Sequence, residues 1–215
     1  MSKYKLVLFD LDGTLIDTDK LIFMSYYYIF KKYRQNYKVS FEEMISFLGP
    51  TLMDTFNVYF PNEDHAKLIE EYREYTMSHH HKFVSAFSGA ERVLKELREL
   101  GIHVGVVTSK RRDVAEYGLR EFGLDNYCEL LIDCNDVTNF KPDPEGIIKA
   151  MDYFKILPEN TLMVGDSKSD MLAGINAKCD VAAVNYSIKG NFYKDLDVNY
   201  VINELNDILN IVKGN

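Results

Sequence analysis

Five short apolar runs, KLVLFD, HVGVVT, ELLID, TLMVGD and DVAAVNY, recur along the chain with amphipathic segments between them. Runs of this length, rich in Val, Leu and Ile, are the pattern of strands buried on both faces. The segments between them have helical spacing. Val93, Leu94, Leu97 and Leu100 mark a helix over 89–100, and Ser88-Gly-Ala-Glu91 ahead of them reads as a capping box. Residues 111–122, 143–154, 170–178 and 203–212 read as further helices. Strands alternating with helices imply an α/β fold, a parallel sheet with helices on both faces.

Residues 17–83 break the alternation. They hold eight of the fifteen tyrosines and no buried-strand run. A single crossover helix needs far fewer residues. The stretch therefore reads as a helical domain inserted into a sheet domain made of 1–16 and 84–215. Composition then limits what the whole can do. Hydrophobic residues make up 47% of the 215, enough to bury a core. The 25 basic and 33 acidic residues leave a net charge of −8 with no long basic run. That argues against a nucleic-acid surface, and an anionic substrate would need positive charge gathered locally. No apolar stretch nears the roughly 20 residues of a membrane span. Leu6–Phe9 is too short, and runs too directly into acidic residues, for a signal peptide. Cys128, Cys134 and Cys179 are odd in number and lack metal-ligand spacing, as expected of reduced thiols. The expectation is a soluble cytoplasmic protein, monomer or homodimer, with neither nucleic acid nor membrane as partner.

In parallel sheets, ligands bind beyond the carboxyl ends of the strands. Asp10, Thr108 and Asp166 fall there. In LFDLDGTL, Asp10 and Asp12 stand at i and i+2, which share a face in extended backbone. Two carboxylates so close repel when ionised. A Mg²⁺ ion, which takes hard oxygen ligands, can be held by Asp10 and Asp166, and Asp170 on the opening turn of a helix can hold a metal-bound water. The metal would relieve the repulsion and make a phosphate welcome. Asp10 offers a carboxylate nucleophile of the kind that forms aspartyl-phosphates. Asp12 is placed to protonate a leaving group and then deprotonate the hydrolytic water. Thr108 can donate its hydroxyl to a phosphoryl oxygen, with Ser109 as a further substrate contact and Lys110 either another contact or a solvated side chain. In FKPDPEG, Pro142 keeps Lys141 out of helical geometry. Asp143 is expected to cap the next helix and Pro144 to open it, which would present Lys141 where the helix dipole favours anions. Phosphoryl transfer needs mainly positioning and charge neutralisation, and these parts offer both.

DLDGTL, the strand ending in Thr108, Lys141 in KPDP and GDSKSD resemble, in order, the four motifs of the haloacid dehalogenase (HAD) superfamily. The resemblance implies a Rossmann-like α/β core over 1–16 and 84–215 and a helical cap domain over 17–83. It implies Mg²⁺ as cofactor, Asp10 as nucleophile and Asp12 as acid/base. Asp12 would also ligate the metal through its backbone carbonyl, beside the carboxylates of Asp10 and Asp166. With an acid at position 12 the chain departs from the dehalogenases proper, which lack that second Asp and need no metal. FLGPTLMDTF, DVTNFKPDPEG, MVGDSKSDMLAG and AAVNYSIKG look like phosphoglycolate-phosphatase-type members, and among these are most similar to the bacterial inorganic pyrophosphatases. The implied activity is hydrolysis of a small phosphorylated substrate, with inorganic pyrophosphate first. Phosphoglycolate, a nucleotide or a sugar phosphate is the alternative substrate, and a phosphomutase the alternative reaction. Gly49 and Pro50 would then belong to a substrate-contacting loop, where the plain reading is a turn.

Three features have simpler readings. His79-His80-His81 has no accompanying carboxylate or Cys pattern and reads as a polar hinge or helix end. His103 opens an apolar run and reads as a strand-edge residue. The aromatics of 17–83, such as Tyr26-Tyr27-Tyr28, read as core.

Overall fold

The computed structural model describes residues 2–214. Eight strands run through them: β1 (Leu6–Phe9), β2 (Ile16–Asp17), β3 (Ser85–Ala86), β4 (His103–Val107), β5 (Leu130–Ile132), β6 (Thr161–Gly165), β7 (Asp180–Val184) and β8 (Tyr200–Ile202). The short β2 and β3 pair with each other, and the other six form one sheet in the order β5-β4-β1-β6-β7-β8. Every neighbouring pair in that sheet is parallel. The helices are α1 (Asp19–Tyr33), α2 (Phe41–Ser46), α3 (Leu52–Tyr59), α4 (His65–Phe83), α5 (Ala90–Glu99), α6 (Arg112–Glu121), α7 (Glu145–Phe154), α8 (Lys168–Asn176) and α9 (Asp207–Lys213). The fold is α/β, a Rossmann-like parallel sheet flanked by helices.

The chain divides into two compact units, one running to Asp17 and resuming at Ala86, the other Thr18–Ser85. In the sheet unit, Leu6, Leu8, Met163 and Val181 project from one face against Ile147, Ala150 and Met151 of α7 and Met171 and Ala173 of α8. Strand residues alternate faces, so Val7 and Phe9 point the other way. The helical unit has its own aromatic core, in which Tyr26, Phe30, Phe47, Phe56, Phe60 and Tyr72 cluster. Of the tyrosine triplet only Tyr26 is buried there; Tyr28 stacks on Tyr75 at 4.7 Å and Tyr27 is exposed. The histidine triplet lies in the last turns of α4, with His80 buried and His79 stacked on Tyr75. Gly49 and Pro50 form an exposed bend between α2 and α3, and Thr51 caps α3 by accepting from the Asp54 N–H.

Two local expectations are corrected. Ser88 does not cap α5. Gly89 takes the N-cap position with φ +84°, a left-handed conformation, and makes no side-chain cap bond. A side chain there would also press on Asn206, 2.9 Å from the added Cβ. Asp143 does not cap α7 in the expected register. The helix begins at Glu145 behind Pro144, and the Asp143 carboxylate accepts from the Glu145 N–H at 2.9 Å, closing a turn just ahead of it.

Candidate active site

Parallel pairing sets Phe9, the last residue of β1, beside Val106 and Val164, so β4 and β6 end level with each other, one residue past β1. Asp10, Thr108 and Asp166 each follow the last residue of a strand. The Asp10 N–H bonds the Val164 carbonyl at 2.9 Å and the Thr108 N–H bonds the Ile132 carbonyl at 2.9 Å, which extends the ladders by one step and fixes both residues. All three are buried. Asp170 is the third residue of α8 and takes part in its capping box: it accepts from the Ser167 N–H at 3.0 Å while the Ser167 hydroxyl accepts from its own N–H.

These elements bring the carboxylates of Asp10, Asp166 and Asp170 together, with an oxygen of each within 4.8 Å of the others. Two glycines make the approach possible. A Cβ on Gly13 would lie 2.0 Å from an Asp166 oxygen, and one on Gly165 would lie 2.4 Å from Asp170 Cβ. Burial with two neighbouring carboxylates, against the pull of Lys141, raises the Asp10 pKa from 3.8 to about 7. Burial likewise raises Asp166, whereas at Asp170 the Lys141 ammonium outweighs burial and lowers it.

Lys141 balances part of this charge. Its Nζ donates to Asp10 Oδ1 at 2.7 Å, Asp170 Oδ1 at 2.6 Å and the Val107 carbonyl at 3.0 Å. Burial disfavours its ammonium, but the two carboxylates prevail and hold its pKa above the ordinary value. Its peptide bond to Pro142 is cis. The loop leading to it is clamped by Glu145, whose carboxylate accepts from the Thr138 and Asn139 N–H groups.

Three residues that the sequence left open or passed over also hold carboxylates at this sheet edge. Lys110 is neither solvated nor free: its Nζ donates to both carboxylate oxygens of Asp12, at 2.7 and 2.8 Å. Ser187 and Lys189, in the turn after β7, both hold Asp166. The Ser187 hydroxyl donates to Oδ2 at 2.8 Å and the Lys189 ammonium to Oδ1 at 2.8 Å. The signal was a lysine and a serine just past a buried strand, in AAVNYSIKG; their direction follows only from β7 lying beside β6. Thr108 sits at the same edge, its hydroxyl accepting from the Lys110 N–H at 3.2 Å, and Ser109 is exposed beside it. Gly49 and Pro50 belong to the helical unit.

Three buried carboxylates whose oxygens converge are a hard-oxygen donor set, suited to a divalent cation such as Mg²⁺. They are the one such group of acids, histidines and cysteines among the described residues. The haloacid dehalogenase-like hydrolase family matches residues 7–184. The chain belongs to that family. Over 207 residues it is 39% identical to a pyrophosphatase PpaX of Halalkalibacterium halodurans, covering 96% of this chain and 95% of that protein. Over 208 residues it is 40% identical to a pyrophosphatase PpaX of Oceanobacillus iheyensis, with the same coverage. A haloacid dehalogenase-like hydrolase from Streptococcus pneumoniae superposes with a TM-score of 0.84 over 97% of this chain and 98% of that one, at 20% identity, which shows the shared fold. As a haloacid dehalogenase-like hydrolase the chain is an enzyme acting on a small phosphorylated substrate. No helix among its described residues is long and apolar enough to cross a membrane.

Proposed function

We propose that the protein is a cytoplasmic, Mg²⁺-dependent phosphohydrolase that cleaves inorganic pyrophosphate through an aspartyl-phosphate on Asp10. The observation that carries this reading is the buried meeting of Asp10, Asp166 and Asp170, with the Lys141 ammonium on Asp10 and Asp170 and with Asp12 and Thr108 at the same sheet edge. The similarity to the two pyrophosphatases over nearly the whole chain favours pyrophosphate among the possible substrates.

Asp10, Asp166 and Asp170 would hold the metal, with the Asp12 backbone carbonyl beside them. When bound, Mg²⁺ supplies positive charge that keeps the carboxylates ionised and offsets charge on the phosphate. The chain's own groups do the rest. An Asp10 oxygen attacks the phosphorus, its bond to phosphorus forms, and the bond to the leaving phosphate breaks. The Asp12 carboxyl gives its proton to that leaving oxygen and then takes one from the attacking water, which splits the acyl-phosphate and frees Asp10 and orthophosphate. Lys141 and the Thr108 hydroxyl orient and neutralise the phosphoryl oxygens, with Ser109 as a further contact. The helical unit is proposed to act as the cap, its Gly49-Pro50 bend contributing to the choice of leaving group. The resemblance of FLGPTLMDTF to the pyrophosphatases supports that part.

A phosphate-release screen with Mg²⁺ tests the reading, set out over pyrophosphate, phosphoglycolate, nucleoside monophosphates and sugar phosphates. The expected result is highest kcat/KM on pyrophosphate, abolished by chelation. A clear preference for an organophosphate overturns the substrate, and activity undiminished by chelator overturns the metal.

A further inference from the structure

The charges that answer the three converging carboxylates come from two places. Lys141 serves Asp10 and Asp170, and Lys189 serves Asp166. Lys189 comes from the turn after β7, which none of the four motifs contains. Its side chain is only 16% exposed, and the Asp166 side chain it meets is fully buried. The turn is well anchored. The Tyr186 hydroxyl donates to the Thr14 carbonyl at 2.8 Å, the Tyr186 ring lies 4.8 Å from Phe87, and the Lys189 N–H donates to the Ser187 hydroxyl at 3.3 Å. With Ser187 on one oxygen and Lys189 on the other, both Asp166 oxygens are engaged by this single turn.

A cation entering here needs an oxygen of Asp166 and meets an ammonium already on it. Like charges in a buried site repel strongly, since little water screens them. An anionic phosphate arriving with the cation removes the conflict, because Lys189 then has a second anion to face. We infer that Lys189 is a built-in counter-ion that weakens Mg²⁺ binding to the substrate-free site and makes Mg²⁺ and phosphate bind cooperatively. By reciprocity, each ligand then raises the other's affinity by the same factor. This rests on the reading of Asp10, Asp166 and Asp170 as the metal site. The competing account makes Lys189 a strut that only orients Asp166, as hydrogen-bonded neighbours of metal ligands commonly do. The two differ in sign, since loss of a strut weakens metal binding and loss of a competing charge tightens it.

Calorimetric titration of Mg²⁺ into the intact protein, with and without inorganic phosphate, separates them. In the wild type, phosphate should tighten Mg²⁺ binding by about tenfold, within the usual range of coupling between two ligands. Lys189→Met should bind Mg²⁺ alone about tenfold more tightly than the wild type, with the phosphate effect reduced below about twofold. Lys189→Gln serves the same purpose if the methionine variant fails a melting check, and Lys189→Arg should restore wild-type coupling. Ser187→Ala, which removes orientation without changing charge, should leave the coupling in place. Weaker Mg²⁺ binding in Lys189→Met with coupling intact overturns the inference and leaves the strut. A wild type that binds no Mg²⁺ under either condition overturns the metal site and this inference with it, whereas unaltered variant behaviour beside wild-type coupling overturns this inference alone.

Discussion

Asp10→Asn tests the electrostatics of the site without relying on turnover. Asp10 is buried, and its pKa lies near 7 in the folded chain against 3.8 for an ordinary aspartate. An acid whose folded pKa is raised leaves the folded state binding more protons than the unfolded one between those values. Stability therefore falls as pH rises from about 4 to 7 and stays lowered above that. At about 1.4 kcal/mol per tenfold change in proton affinity, the loss is on the order of 4 kcal/mol. Asparagine has the same shape and no charge, so the variant escapes it. Weakening the bond from Lys141 takes back about 1 kcal/mol. The net expectation at pH 8 in chelator is a variant more stable than the wild type by about 2–3 kcal/mol. At pH 4.5 the advantage should nearly vanish. Saturating Mg²⁺ should also shrink it, because a ligand that binds only the native wild type stabilises that protein selectively. Urea unfolding at both pH values, with chelator and with Mg²⁺, reads the difference directly. Equal or lower stability of Asp10→Asn at pH 8 in chelator would refute the argument. The same protein should be inactive, since the amide cannot form the phosphoenzyme.

Asp12→Asn should still let Asp10 become phosphorylated while slowing steady-state turnover about 10²–10⁴-fold, the usual scale for lost acid/base help; trapping radiolabelled phosphoenzyme by rapid quench checks both halves. Gly13→Ala places a Cβ 2.0 Å from Asp166 at a φ of +79°, so it should lower stability by about 1–3 kcal/mol from backbone strain alone and weaken Mg²⁺ binding, both measurable on one purified sample. Glu145, held down to about 2 by Lys149 and the Asn139 and Thr138 N–H groups, contributes stability that is present above its ordinary 4.5 and lost as pH falls toward 2; the gap between wild type and Glu145→Gln in a melting series should close over that window. Pro50→Ala should change the ratio of kcat/KM on pyrophosphate to that on phosphoglycolate more than it changes the Mg²⁺ requirement, and equal losses on both substrates would remove the bend from specificity.

The sheet was readable because a parallel strand buried on both faces writes itself as an uninterrupted apolar run. β1, β4, β6 and β7 all do so. β8 escaped notice because it is short, lies at the sheet edge and exposes Val201, so no such run marks it. Asp10, Thr108 and Asp166 could be placed from their position just past strand ends, which is local information. What Lys110 and Lys189 touch could not. Lys110 meets Asp12 because β4 lies beside β1, and Lys189 meets Asp166 because β7 lies beside β6. Those adjacencies belong to the strand order, which the sequence of runs does not state. The Ser88 cap failed for a different reason. Its pattern fits the motif, but Gly89 starts the helix from a left-handed conformation that the pattern cannot show.

Strand β1 lies in the middle of the sheet, yet it is made before both of its neighbours. Its neighbours begin at His103 and Thr161. As the nascent chain emerges, LVLF has no partner on either edge until β4 appears, and one edge stays open until β6 follows. The helical unit, with its own aromatic cluster, is fully synthesised before either neighbour exists. Pairings across such long separations close slowly, and an apolar strand with open edges invites association with other chains in the interval. A chain halted on the ribosome before Thr161 would hold a finished helical unit and no acidic cluster, since Asp166 and Asp170 are still to come. The carboxylate proposed as nucleophile is translated long before Asp166 and Asp170, the two carboxylates it meets, and its site closes only after they arrive.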